Sequence, residues 1–136
     1  MLFRSAHGAA LRHVLDVRHA SFKTPAYVAL ARKYGAATVF TDSDDYPSFA
    51  DVTGDFLYVR MMRTEPHVPT GYTESALDDI AACALAWARG DEPVAVPRVE
   101  PAQPPQARER DVFMYFISGA KERAPAAAMA LIERLP

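Results

Sequence analysis

Strand-like and helix-like stretches alternate along this chain, and that order constrains the fold more than any single residue does. Leu11 to His19 alternates apolar and polar residues well enough to be a strand. Thr24 then offers an N-cap, and Pro25 occupies a first helical position, where its missing N–H costs nothing. Tyr27, Val28, Leu30, Ala31 and Tyr34 keep helical spacing and Gly35 suits a left-handed cap, so the pattern predicts a helix over 25–34. Ala36 to Thr41 is a short β-branched run, the pattern of a buried strand. An acidic loop, Asp42 to Pro47, follows, and Ser48 to Val52 has room for one helical turn, the weakest helix of the series. Asp55 to Met62 is the clearest strand. Thr73 caps a helix whose Leu77, Ile80, Ala81, Ala84, Leu85 and Ala88 form a one-sided apolar stripe that stops at Gly90. Asp111 to Ser118 is the fourth strand, and 123–135 the last helix.

Strands that alternate with helices pair in parallel through right-handed crossovers. Four such units amount to half of a (β/α)₈ barrel, which takes roughly 250 residues; this chain has 136. The expected fold class is therefore α/β, a TIM-barrel-like (β/α) half barrel with four parallel strands alternating with helices. A complete small open α/β sheet is the competing architecture. No glycine-rich turn follows the first strand, so a dinucleotide-binding fold finds no support. Residues 91–110 hold five of the eleven prolines and no periodicity, which predicts a mobile surface loop. Residues 1–9 enter the first strand without a helix or turn signal and are expected to be a truncated or non-native start, leaving 10–136 as the domain.

Composition narrows the function classes. Net charge is −2, so no global basic field draws the chain to nucleic acid or membrane. The single cysteine, Cys83, lies in an alanine-rich helical run, forms no internal disulfide and is expected to pack as a small hydrophobe. No run approaches the roughly 18 apolar residues of a membrane span and no signal peptide is visible, which favours the cytoplasm. Four scattered histidines lack metal-binding spacing, so no metal is argued, and nothing names a cofactor.

Barrel chemistry sits at the carboxyl ends of strands, and strand parity sorts side chains between the axis and the helices. Taking the apolar parity as helix-facing leaves Val14, Asp16 and Arg18 inward on the first strand. The inward sets that follow are Thr38, Phe40 and Asp42 on the second strand, and Phe56, Tyr58, Arg60 and Met62 on the third. On the fourth they are Met114, Phe116 and Ser118. Charges must pair there or reach a wet mouth. The sharp reading is an anion pocket. Arg18 and Arg60 bind phosphate or carboxylate through planar forks, and Asp16 or Asp42 serves as acid or base with His19 assisting. Tyr58, Arg63, Tyr72, Ser118 and Lys121 complete the ring. The bland reading is an ion-pair network with no ligand. Phe113, Tyr115 and Trp87 are expected in the core rather than on a stacking platform. Asp42, Asp44 and Asp45 fit a solvated acidic turn better than a cation loop. A nucleic-acid partner held by Arg63, Lys121 and Arg123 is the alternative, disfavoured by the acidic balance. A third possibility is a fragment without activity, whose exposed edge strands lead it to self-associate or to bind a missing N-terminal half.

Five blocks together resemble the YecE-like family, catalogued as domain of unknown function seventy-two. They are Ala10 to His19, Ala37 to Ser43, Phe56 to Arg60, Gly71-Tyr72, and Val112 to Phe116 with the alanine-rich last helix. The resemblance runs from about Ala10 to the end and corresponds to the C-terminal half of that family. It implies a TIM-barrel-like fold and a bacterial cytoplasmic protein, and it assigns no reaction. Analogy with phosphodiester-cleaving and sugar-isomerising barrels suggests nucleic-acid or phosphate ligands. Arg18, Arg60, Asp16 and Asp42 match the family pattern best. Met62-Arg63 stand where His-Gly is usual, and Ile117-Ser118-Gly119 replace a polar, Asn-containing end.

Overall fold

A computed structural model describes residues 5–101 and 105–136. The expectation of a non-native start falls partly on 1–4, and that of a mobile loop partly on 102–104; both stretches lie outside the described residues. A small hairpin, β1 (Ser5–Ala6) against β2 (Ala9–Ala10), turns through His7 and Gly8 with φ of 50° and 81°. Two successive positive φ values are the mark of a tight hairpin turn. Then come β3 (Val14–Leu15), α1 (Pro25–Tyr34), β4 (Ala37–Thr41), β5 (Phe56–Met61), α2 (Glu74–Arg89), β6 (Asp111–Phe116) and α3 (Ala124–Ile132).

The sheet has four parallel strands in the order β3-β4-β5-β6, so the fold is mixed α/β. Caps explain the helix bounds. Thr24 Oγ1 accepts from Tyr27 N at 3.3 Å and Thr73 Oγ1 from Ala76 N at 3.2 Å, satisfying N–H groups that the first turns leave free. Gly35 and Gly90 close the two helices with φ of 62° and 93°. The first strand is much shorter than 11–19. Among the described residues it pairs on one side only, and its polar residues beyond Leu15 leave the ladder for ion pairs.

All three helices lie on one side of the sheet. Leu57, Val59 and Met61 of β5 pack with Val112, Met114 and Phe116 of β6 against Leu77 and Trp87 of α2 and Ala127 and Ala130 of α3. Burial of each such large side chain contributes about 1.5–3 kcal/mol. The register fixes the rest, because parallel partners share a face. Phe40 sits beside Val59 and Met114, so it is helix-facing, and its ring meets Trp87 at 5.7 Å. Thr38, Phe40, Met114 and Phe116 therefore face the helices, against the expected parity, and Val39, Thr41, Phe113 and Tyr115 take the opposite face. Both parities of β4 and β6 are largely apolar, so alternation could not choose between them.

No helix forms at Ser48 to Val52. The segment takes no regular secondary structure; Phe49, Ala50 and Val52 are buried, Phe49 against Tyr27 of α1 and Ala50 and Val52 in the core with Leu77 and Trp87 of α2. Thr53 Oγ1 donates to Ala36 O at 2.7 Å and shares a hydrogen bond with Thr38 Oγ1, which in turn bonds Tyr27 Oη at 3.0 Å. On its other side Ala50 N donates to Pro97 O, and the Asp51 carboxylate accepts from Val99 N and Glu100 N at 2.7 and 2.8 Å. Residues 92–100 of the proline-rich stretch are tied to the body by these bonds, by the Arg32–Glu100 ion pair at 3.4 Å and by buried Pro93, and within the stretch Arg98 pairs with Glu92. Further on, the buried Arg110 guanidinium donates to the carbonyls of Gly90, Arg108 and Gln106.

Candidate functional site

The sheet face opposite the helices carries the polar groups that strand parity singles out, and it carries them at its two ends. At the amino end the Arg12 guanidinium lies 4.9 Å from the Phe56 ring centre and 6.0 Å from that of Phe113, and donates to Asp111 at 2.8 Å. Tyr58 and Tyr115 lean together in the middle, ring centres 5.0 Å apart. Phe113 and Tyr115 are 39% and 42% exposed. They form an aromatic surface on this face rather than core, contrary to expectation; Trp87 is core, as expected.

At the carboxyl end three expected residues converge. Arg18 donates to both oxygens of Asp16, Nε at 3.1 Å and Nη2 at 2.8 Å. Arg60, on β5 two strands across the face from β3, donates to the same carboxylate through Nη1. Partial burial pushes the Asp16 carboxyl up, but the hydrogen bonds and positive charges of Arg18 and Arg60 outweigh it and hold it below the ordinary 3.8. Two guanidiniums against one carboxylate leave a local charge of +1 (two positive, one negative). Arg18 also stacks 4.2 Å from the ring centre of Tyr46, a residue that the sequence pattern places only in a polar loop. A lone aromatic inside an acidic turn is the signal that could have pointed to it.

Other expected residues stand elsewhere. Asp42 follows the Phe40 parity onto the helix side. Its Oδ2 accepts from Tyr72 Oη at 2.6 Å and its Oδ1 from Met62 N at 2.6 Å. Tyr72 is buried against Phe116, and its oxygen also accepts from Arg63 N at 2.9 Å. Burial and the facing Asp42 carboxylate push the Tyr72 phenol far above its usual value. The Arg63 side chain is exposed and faces Asp44 at 3.6 Å. His19 caps the 3-10 turn Ala20–Phe22, its Nδ1 accepting from Ser21 N at 3.2 Å, in the manner of a structural loop histidine. Ser118 contributes its carbonyl to Thr64 Oγ1 at 2.8 Å, and Lys121 is exposed in the turn Lys121–Arg123. The structure thus gathers Asp16, Arg18 and Arg60, with Tyr58 below them on the same face. It places Asp42, Tyr72 and Arg63 apart from them.

Among the described residues no group of three or more His, Cys, Asp or Glu could hold a metal ion. No helix among them is long and apolar enough to cross a membrane. No curated protein and no solved structure matches the chain. A family model described as "Protein of unknown function DUF72" matches residues 2–136, nearly every position from which the sheet, the helices and the Asp16 cluster are built. By that match, and in keeping with the blocks around Asp16, Phe40 and Arg60, the chain belongs to the DUF72 family.

Proposed function

We propose that the chain binds a small anion, phosphate or carboxylate, at the carboxyl end of the open sheet face, with Arg18 and Arg60 as the binding groups. The observation that carries this reading is the convergence of two guanidiniums on one carboxylate. Each guanidinium has five N–H donors. Asp16 uses two from Arg18 and one from Arg60, so donors remain for a ligand. The Tyr46 ring steadies Arg18, which lowers the cost of ordering it. Asp16, held ionised, is the carboxylate within reach for proton transfer if the bound anion reacts, in a hydrolase-like or isomerase-like step. Asp42 is engaged on the other side of the sheet, and His19 is occupied in capping the Ala20–Phe22 turn. The sequential parallel order, with helices on one side, supports placing this sheet in the wall of a TIM-type β/α barrel, where strand ends form the site.

Calorimetric titration with inorganic phosphate and with citrate tests the reading. Arg60→Gln should weaken binding by about tenfold, the loss of one charge-assisted hydrogen bond. Arg63→Gln should leave it unchanged. Absent binding to the native chain, or equal affinity in Arg60→Gln, overturns it.

A second reading rests on the sheet edges. Among the described residues β3 and β6 each pair on one side only, and the aromatic strip beside β6 is exposed. These features support association of the open face with a further set of strands, from another copy or another chain segment. Light scattering behind size exclusion should show mass rising with concentration; a monomer at every concentration refutes it. Nucleic acid is weaker, since Arg63 is engaged by Asp44 and Arg123 by the Pro66 carbonyl. A salt titration of gel shifts decides that point.

A further inference from the structure

The open face of the sheet sets an aromatic strip directly beside the Arg18–Arg60 cluster. In the ladder Arg60 of β5 is the partner of Tyr115 of β6, and Tyr58 is the partner of Phe113. Partners on neighbouring parallel strands share a face and stand about 5 Å apart. A guanidinium and a phenol ring therefore rise side by side, with a second phenol, Tyr58, two residues before Arg60. The Tyr58 and Tyr115 rings meet at 5.0 Å with 32° between their planes, so each covers part of the other.

Much of this surface remains bare. Tyr115 is 42% exposed, on a strand beyond which, among the described residues, the sheet does not continue. The side chains of Arg18 and Arg60 are 41% and 26% exposed, so a ligand can reach all three. The amino end of the strip is already occupied. There Arg12 lies against Phe56 and Phe113, pairs with Asp111 and faces Asp55 at 3.9 Å. At the carboxyl end Arg60 turns to Asp16 instead, which leaves the Tyr115 ring uncovered. Contiguous exposed apolar surface marks a binding site more often than scattered single residues do. Next to a guanidinium pair, such a surface matches a molecule that is negative at one end and flat and apolar at the other. The guanidiniums take the charge, and ring packs on ring, offset-stacked or edge-on.

We propose that the anion held by Arg18 and Arg60 belongs to a small aryl phosphate or aryl carboxylate, whose ring packs on Tyr115. The inference rests on the anion site proposed above and narrows its ligand. A ring joined directly to its anionic group fits the short step between Arg60 and Tyr115. Bare phosphate leaves the tyrosines unused.

Methyl phosphate and phenyl phosphate carry the same charged group, and only the second has a ring. Calorimetric titration of the native chain should show phenyl phosphate binding about fivefold more tightly, the ratio one aromatic contact supplies. Tyr115→Ala should bring that ratio close to one, and Arg60→Gln should weaken both ligands. In the native chain, intermolecular NOEs should join the phenyl protons to the Tyr115 ring. Methyl phosphate that fails to bind, or that binds Arg60→Gln as well as the native chain, overturns the anion site and this inference with it. Methyl phosphate that binds through Arg60 while phenyl phosphate gains nothing, or a gain that survives Tyr115→Ala, overturns the aryl ligand alone. Should Tyr115→Ala not fold, absence of the NOEs in the native chain decides against it.

Discussion

Tyr72 Oη donates to Asp42 Oδ2 at 2.6 Å, on the side of the sheet away from the Asp16–Arg60 ion pair. The bond joins the end of β4 to the residue just before the Thr73 cap of α2, and Asp42 also holds Met62 N at the end of β5. An acid expected to do chemistry thus acts as a brace between strand ends. Tyr72→Phe should destabilise the chain by about 1–3 kcal/mol, because the half-buried carboxylate loses a partner it cannot replace. Urea midpoints measure this.

The same phenol has a signature at high pH. Burial and Asp42 raise its folded-state value above that of an exposed tyrosine, about 10. The unfolded chain therefore releases this proton first, and stability present below about pH 10 falls as pH rises past it. Absorbance titration should show one of the six tyrosines ionising only with unfolding, and Tyr72→Phe should reduce the alkaline loss. Tyr27, raised by burial despite its bond to Thr38, accounts for part of what remains.

Asp16 carries the opposite sign. Its folded value is depressed, so its stabilisation is present above the ordinary 3.8 and is lost as pH falls through the lower folded value. Asp16→Asn should flatten the acid side of the stability profile between about pH 5 and 2. Side-chain carboxyl NMR should place the native resonance change below 3.8. An Asp16 titrating at or above that value contradicts the ion-pair geometry.

Gly90 should tolerate nothing larger. At φ 93° a Cβ would stand within 2.6 Å of the Arg108 backbone. Gly90→Ala combines left-handed strain with a clash against main chain and should cost at least about 2 kcal/mol. A melting temperature within a degree or so of the native one would show that 105–110 yields freely.

Thr53→Val should lower stability by about 1–3 kcal/mol, since it strips the Ala36 carbonyl and the Thr38 hydroxyl of a buried partner while keeping volume. Chemical denaturation is again the measure. Ser75→Ala, at an exposed position on α2, is the control and should be nearly silent.

Local signals are legible in the sequence and distant ones are not. Helices α1 and α2 announce themselves because Thr24, Thr73, Gly35 and Gly90 act on their own neighbours. The Asp16, Arg18 and Arg60 cluster follows from clean alternation in β5 and in the first strand. Asp42 is assigned the wrong face because Ala37 to Thr41 has no polar parity to orient it. Phe113 and Tyr115 mislead for the same reason, since Val112 to Phe116 is apolar on both sides. The irregular course of 48–53 is held by Pro97, Val99 and Glu100, which no short window contains.

That last dependence sets an order of events. A helix between β4 and β5 could wind up alone as soon as it was made. Asp51 must instead wait for Val99 and Glu100, 48 and 49 positions later, so the gap beside β4 is sealed only after β5 and α2 have left the ribosome. Until then Ala50 and Asp51 lack the partners that hold them, and the emerging chain passes through a stage whose half-built wall is sticky.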